Sequence, residues 1–149
     1  MRNLFDIKDR VIVITGGTGV LGSCMVEYLA EQGAKVAVLA RNAEKAEVLI
    51  ENLKTKGLEC SFFQTDVNNK NSVETTADAI MTRYGRVDVL VNGAGGNQPG
   101  ATIGPDKTIC DYEGHPFKMD VNLNLSVKLM PTLFFARKMK KLKKGNLFN

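Results

Sequence analysis

The sequence predicts an α/β fold, a parallel sheet wound on both faces by helices. Three observations predict it. Short apolar runs rich in β-branched and aromatic residues (VIVIT, KVAVLA, CSFFQT and VDVLVN) recur along the chain. They are mostly continuous rather than alternating, as strands covered on both faces require. Longer stretches of helical spacing separate them, and strand–helix alternation argues for right-handed crossovers.

The first strand is expected over Val11–Thr15 and runs into a glycine-rich turn. A helix follows, with Leu21, Met25, Tyr28 and Leu29 on one face. Lys35–Ala40 forms the second strand. Asn42 is a cap for the helix after it and Gly57 its terminator. Cys60–Thr65 is the third strand, and a third helix runs from about Lys70 to Tyr84 and stops at Gly85. Val87–Asn92 is the fourth strand.

The rhythm then breaks. Gly93–Phe117 carries Gly95, Gly96, Gly100, Gly104 and Gly114 with Pro99, Pro105 and Pro116. A loop this long inside a domain is usually functional or mobile, and it follows the C-terminal end of a strand, where α/β sheets bind ligands. A last helix is expected from about Met119 to Lys144, with Val121, Leu125, Leu129, Thr132, Leu133 and Ala136 on one face. Pro131 lies inside it and removes one helical hydrogen bond, so a bend is expected there unless packing holds the helix straight. The final residues, GNLFN, read as the start of a fifth strand.

The chain has 149 residues, 44% hydrophobic and 24% charged, which suits a single globular domain over 1–149 and excludes disorder. No apolar run is long enough to span a membrane, and the N-terminus lacks a signal-peptide core, so a cytoplasmic protein without a membrane partner is expected. Cys24, Cys60 and Cys110 are far apart and odd in number, which predicts neither a disulfide framework nor a metal site. The formal charge of +4 is local. Six of the 20 basic residues lie in RKMKKLKK, Arg137–Lys144, and the rest balance at 14 basic against 16 acidic, or −2. Lysines at a helix C-terminus explain the cluster, and no aromatic interleaving supports nucleic-acid binding. His115, in the long loop, has no evident partner and reads as a surface histidine.

The chemistry lies where strands end. TGGTGVLG, Thr15–Gly22, places four glycines between the first strand and a helix start. Phosphate binding needs such a loop, because backbone must approach a diphosphate closely and free N–H groups at a helix start favour an anion. Gly16, Gly17, Thr18, Gly19, Val20 and Leu21 are the candidate contacts. The second strand ends in Ala40 and Arg41 with no carboxylate to accept a bond from an adenosine ribose. Arg41 tilts the reading toward NADP, with NAD open. Asp66 and Val67 follow the third strand, where a carboxylate suits an adenine amino group. Asn92, Gly93, Ala94 and Gly95 follow the fourth, and their small side chains let a cofactor lie against the backbone.

In this order the motifs resemble the short-chain dehydrogenase/reductase family. The residues carrying the resemblance are Thr15, Gly16 and Gly22, Asp66, the NGAGG of Asn92–Gly96 in place of the family's Asn-Asn-Ala-Gly, and NLSVKLMPT, Asn124–Thr132. It covers essentially the whole chain. The resemblance implies a Rossmann-type sheet, cut at the start of its fifth strand, binding a nicotinamide dinucleotide, NAD(P). It also implies hydride exchange with a small alcohol or carbonyl substrate. Asn124 matches the family's active-site asparagine. NGAGGNQPGATI is further similar to sugar-acid members such as D-mannonate (fructuronate) oxidoreductases. Departures are Val20, where single-domain members place a glycine, Gly93 in place of the second asparagine, and Val127 where glycine is common. TGGTGVLG reads equally as the loop of extended, epimerase-like members.

The family's catalytic serine and Tyr-x-x-x-Lys follow the fifth strand. Here Tyr28, Tyr84 and Tyr112 are followed four residues on by Gln32, Asp88 and Pro116. The resemblance therefore implies a cofactor-binding half, inactive alone, that self-associates through its last helix. The alternatives are a non-catalytic remnant and a fragment of an epimerase or dehydratase.

Overall fold

The computed structural model describes residues 5–96, 104–106, 108, 110, 118–119 and 121–149. Five parallel strands form one sheet in the order β3-β2-β1-β4-β5. They are β1 (Val11–Thr15), β2 (Lys35–Ala40), β3 (Cys60–Gln64), β4 (Val89–Asn92) and β5 (Asn146–Phe148). The helices are α1 (Val20–Glu31), α2 (Ala43–Thr55), α3 (Lys70–Tyr84) and α4 (Val127–Lys141). This is the Rossmann-type, doubly wound arrangement expected, ending at a fifth strand.

The continuous apolar runs divide between two cores. Ile12, Ile14, Val36 and Val38 pack with Val26 and Ala30 of α1 and Ile50 and Leu53 of α2. Val13, Ala37, Leu39 and Leu90 pack on the other face with Val73, Ala77 and Ile80 of α3 and Phe134, Phe135 and Met139 of α4. Successive side chains of one strand point to opposite faces, so every position of β1 is buried and none is polar before Thr15.

The helix ends follow the sequence. Asn42 Oδ1 accepts from the Lys45 N–H at 2.8 Å and Asn69 Oδ1 from the Ser72 N–H at 3.2 Å. Gly85 ends α3 in the left-handed region, at φ +70°.

Three expectations are corrected. The stripe of α1 facing the sheet is Gly22, Val26 and Ala30, whereas Leu21 and Tyr28 are exposed. Gly22 has no room for a side chain, because a Cβ there would overlap the Gly16 carbonyl oxygen in the loop after β1. The last helix is irregular upstream of Pro131: Asn122–Ser126 form a π-turn, and α4 then runs through buried Pro131. Its sheet-facing stripe is Val127, Pro131, Phe134, Phe135 and Met139, while Val121, Leu125, Leu129 and Leu133 face outward. Most of the glycine- and proline-rich loop lies outside the described residues, including Tyr112 and His115.

The foot of the sheet, at the N-terminal ends of β1 and β4, is tied by a buried carboxylate. Asp88 Oδ2 accepts from the Val11 N–H at 3.0 Å, and Oδ1 accepts from Arg10 Nη1 at 3.2 Å and from Arg86 Nη2. Burial pushes this carboxyl up, but the bonds from Arg86, the Val11 N–H and Arg10 outweigh it and hold it below its ordinary value. No helix among the described residues is long and apolar enough to cross a membrane.

Candidate functional site

All five strands run the same way, so their C-terminal ends share one rim. A cleft of about 320 Å³ opens there, lined by Gly16, Thr18 and Gly19 after β1, Arg41, Asn42 and Lys45 after β2, and Val67 and Asn68 after β3. Leu39 and Ala40 of β2, Thr65 after β3, Gly93, Ala94 and Gly95 after β4, and Leu123 and Val127 from the last helical segment complete it.

The loop after β1 is drawn tight. The Gly16 N–H donates to the Leu39 carbonyl at 2.9 Å and the Gly19 N–H to the Gly16 carbonyl at 3.0 Å. Gly16 adopts φ +69°, and a Cβ there would lie 2.8 Å from the Gly93 carbonyl oxygen and 2.9 Å from Ala94 N. Thr15 Oγ1 accepts from the Ala94 N–H at 3.1 Å, which ties the β1 loop to the β4 loop. A Cβ on Gly93 would lie 2.8 Å from the Thr15 carbonyl oxygen. A side chain at Gly93 therefore requires a shift of this loop or of the Thr15 backbone.

Helix α1 opens toward this loop without a side-chain cap, unlike α2 and α3. Val20 and Leu21 stand at its first two positions, where N–H groups have no intrahelical acceptor. Both side chains are exposed. The arrangement offers partial positive charge to an anion at the cleft's edge.

Not every expected residue reaches the cleft. Gly17 is buried beneath the loop, where a Cβ would meet Val38 Cγ1 at 2.9 Å. Asp66 is half-buried: its Oδ1 accepts from the Asn68 N–H at 3.0 Å, and its own N–H donates to Ser72 Oγ at 3.0 Å. Asn92 is buried and ties β4 to its neighbours, its Nδ2 donating to Thr132 Oγ1 of α4 at 2.9 Å and to Asn149 Oδ1, just past β5, at 2.7 Å. Its Oδ1 has no partner among the described residues.

Asn124 sits in the π-turn, and its side chain pairs with one peptide unit of the β4 loop. Its Nδ2 donates to the Gly96 carbonyl at 2.8 Å, and its Oδ1 accepts from the Gly96 N–H at 3.2 Å. A Cβ on Gly95 would stand 2.8 Å from that Oδ1. The amide thus fixes the cleft floor. Val127 is 1% exposed and fits beneath the last helix without displacing it from the sheet.

Sequence reasoning missed Lys45, Asn68 and Leu123 as lining residues. Lys45 was within reach of it. The residue three past a helix cap stands in the first turn, and this turn follows a strand's C-terminal end.

A family model described as short chain dehydrogenase matches residues 10–149. An uncharacterised oxidoreductase of Haemophilus influenzae is 30% identical over 154 positions, covering 97% of this chain and 54% of the relative. A solved structure of a proposed D-mannonate oxidoreductase from Haemophilus influenzae, with bound NAD, superposes with a TM-score of 0.82 at 30% identity, over 90% of this chain and 51% of the other. A variant of an actinorhodin polyketide ketoreductase with NADPH gives a TM-score of 0.80 at 26% identity, over 93% of this chain and 51% of the other. The chain spans about half the length of these relatives.

Proposed function

The chain belongs to the short-chain dehydrogenase family, and from that premise we propose that it is the NAD(P)-binding half of an oxidoreductase acting on an alcohol or carbonyl substrate. The observation that carries the reading is the uncapped start of α1 above the interlocked Gly16 and Gly93. A tight backbone turn and free N–H groups are what a diphosphate needs, and the residues present fit that group.

In this reading the loop Gly16–Leu21 holds the diphosphate, with Gly17 acting from below as packing. Arg41 stands at the adenosine ribose, and Val67 flanks the adenine. Asp66 orders the turn that carries Val67, and its remaining carboxylate oxygen is available to the adenine amino group. Gly93, Ala94 and Gly95 form the floor, Asn92 secures β4 beneath it, and Asn124 positions the floor through Gly96. When bound, the nicotinamide supplies the hydride chemistry.

Hydride transfer to a carbonyl also needs a proton donor at the forming oxyanion. No tyrosine of this chain is followed by a lysine at the fourth position. We assign proton handling to the part of the longer relatives that the chain does not span, and we expect no turnover by the 149 residues alone. The wording of NGAGGNQPGATI, and the relative named for D-mannonate, favour a sugar acid as substrate.

Titration of the folded chain with NADH and NADPH, read by nicotinamide fluorescence, tests the proposal. Saturable binding without alcohol oxidation is the expected result. Failure of both dinucleotides to bind would leave a non-catalytic remnant as the better account.

A further inference from the structure

We propose that Asn92–Gly93 is a self-modification site, where Asn92 deamidates through the Gly93 nitrogen at a rate set by how firmly β5 is docked. The chemistry needs nothing but this chain and water, so it stands whether or not a dinucleotide binds.

The sequence supplies the reactive pair. Among the chain's asparagines, Asn92 alone is followed by a glycine. In this reaction the main-chain nitrogen of the next residue attacks the side-chain amide. A glycine puts no side chain in the path and leaves the backbone free to turn. The attack is intramolecular, so no encounter with a second reactant is needed. Gly93 N gives up its proton and bonds to Asn92 Cγ. The Cγ–Nδ2 bond breaks, and Nδ2 leaves as ammonia, on which the lost proton ends. Water then opens the five-membered imide at one carbonyl or the other, which leaves aspartate or isoaspartate at position 92.

The folded chain holds both groups back. The Gly93 N–H donates to the Val91 carbonyl at 3.1 Å, and Asn92 Nδ2 is engaged by Thr132 Oγ1 and Asn149 Oδ1. Asn92 is 5% exposed, which keeps water from the amide. The hold has a weak side. Both bonds are made by Nδ2, whereas Oδ1 has no partner among the described residues. One of the two acceptors, Asn149, stands just past β5, a strand of three residues that are all exposed. Among the described residues β5 is the edge of the sheet and pairs with β4 alone. An element with so few buried contacts opens ahead of the core. Each opening withdraws Asn149 and frees the amide to turn toward Gly93.

The two products differ at the rim. Aspartate fits, because the Thr132 hydroxyl can donate instead of accepting and the Asn149 amide can turn its Nδ2 inward. Isoaspartate lengthens the main chain by one carbon beside Gly93, where a Cβ would already lie 2.8 Å from the Thr15 carbonyl oxygen. It therefore displaces the loop after β4.

The 149-residue chain is incubated at pH 8.5 and 37 °C in heavy-oxygen water, with and without urea, and peptide mapping follows position 92. Conversion with uptake of heavy oxygen is the expected result in both samples, at least about tenfold slower in the folded chain, as protection by a closed structure implies. Asn149→Ala, which removes one acceptor at the exposed edge, should convert several-fold faster without urea and at the parent rate with it. Thr132→Val takes its place if thermal melts show that Asn149→Ala does not fold. Asn92→Asp should melt close to the parent chain, and the isoaspartate fraction well below it. Equal rates with and without urea, no conversion of the folded chain, or a parent rate in the folded variant overturns the proposal.

Discussion

Gly16 packs on the Gly93 carbonyl at the rim of the sheet too tightly for a side chain, and Gly93 is closed off in turn by the backbone of Thr15. A Cβ on Gly16 would lie 2.8 Å from the Gly93 carbonyl oxygen, and one on Gly93 2.8 Å from that of Thr15. Both obstacles are backbone, which does not rotate away. Gly16→Ala also places alanine at φ +69°, at a cost of about 1–2 kcal/mol before any clash. We expect Gly16→Ala and Gly93→Asn to lower the melting temperature by several degrees and to abolish NADPH binding. Gly57→Ala is the control: φ is +72° but nothing lies within 4 Å, so stability should fall by about 1 kcal/mol with binding intact. Thermal melts with NADPH titrations separate the two outcomes.

Asp88 predicts an acid limit to stability. Its folded-state pKa is depressed, so its contribution is present above the unfolded carboxylate value near ~3.9 and is lost as pH falls through the lower folded value. Asp88→Asn should cost about 2–3 kcal/mol at neutral pH, since it strips a buried carboxylate from Arg10 and Arg86. It should also flatten the acid arm of the stability curve. Urea melts from pH 3 to 7 measure both effects, and an unchanged acid arm would refute the assignment.

Asn124→Ala removes both bonds to Gly96 and should loosen the cleft floor without unfolding the protein. We expect about 1–2 kcal/mol lost in stability and a several-fold weaker NADPH affinity. Amide exchange at Gly96 is the direct readout, and protection equal to that of the parent chain would contradict the positioning role.

The thiols should divide by burial. Burial, helped by Glu59, pushes Cys60 up to about 11, while Cys24 and Cys110 are exposed. At pH 8, alkylation should label Cys24 and Cys110 and spare Cys60 until the chain is denatured. The raised value also means that Cys60 costs stability as pH rises from about 9 through 11, where the unfolded thiol ionises first.

Val121, Leu125, Leu129 and Leu133 place four apolar side chains in water on the outer face of the last helix, and Leu147 and Phe148 add to them at the β5 edge. We propose that the chain self-associates through this helix. Sedimentation should show mass rising with concentration, and Leu125→Glu with Leu129→Glu should return the monomer. A monodisperse parent monomer would refute this.

The places of the strands, the Asn42 cap and the order of motifs were legible because each is local, though the fourth strand starts at Val89 rather than Val87. Four apolar runs, Asn42 and Gly85 state their own structure. What faces what was less legible. Leu21 of α1 and Leu129 and Leu133 of α4 are exposed, while the buried stripes are Gly22, Val26 and Ala30 in one helix and Val127, Pro131, Phe134, Phe135 and Met139 in the other, so hydropathy alone does not pick the buried stripe. The π-turn at Asn122–Ser126 carries no residue that announces it. Asn124 reads as catalytic from its motif, and only the fold shows its amide held by Gly96. Lys45 went unnoticed as a lining residue because the cleft is shared by loops that are distant in sequence.

The buried carboxylate and the glycine turn sit at opposite ends of the same short strand, five residues from Val11 to Thr15. The chain anchors itself at one margin and, in the proposed reading, grips a dinucleotide at the other, with only aliphatic side chains between. An engineer can harden the anchor, by rebuilding the arginines around Asp88, without retuning the grip. Conversely, the glycine turn at the upper margin can be altered while the foundation stays as it is.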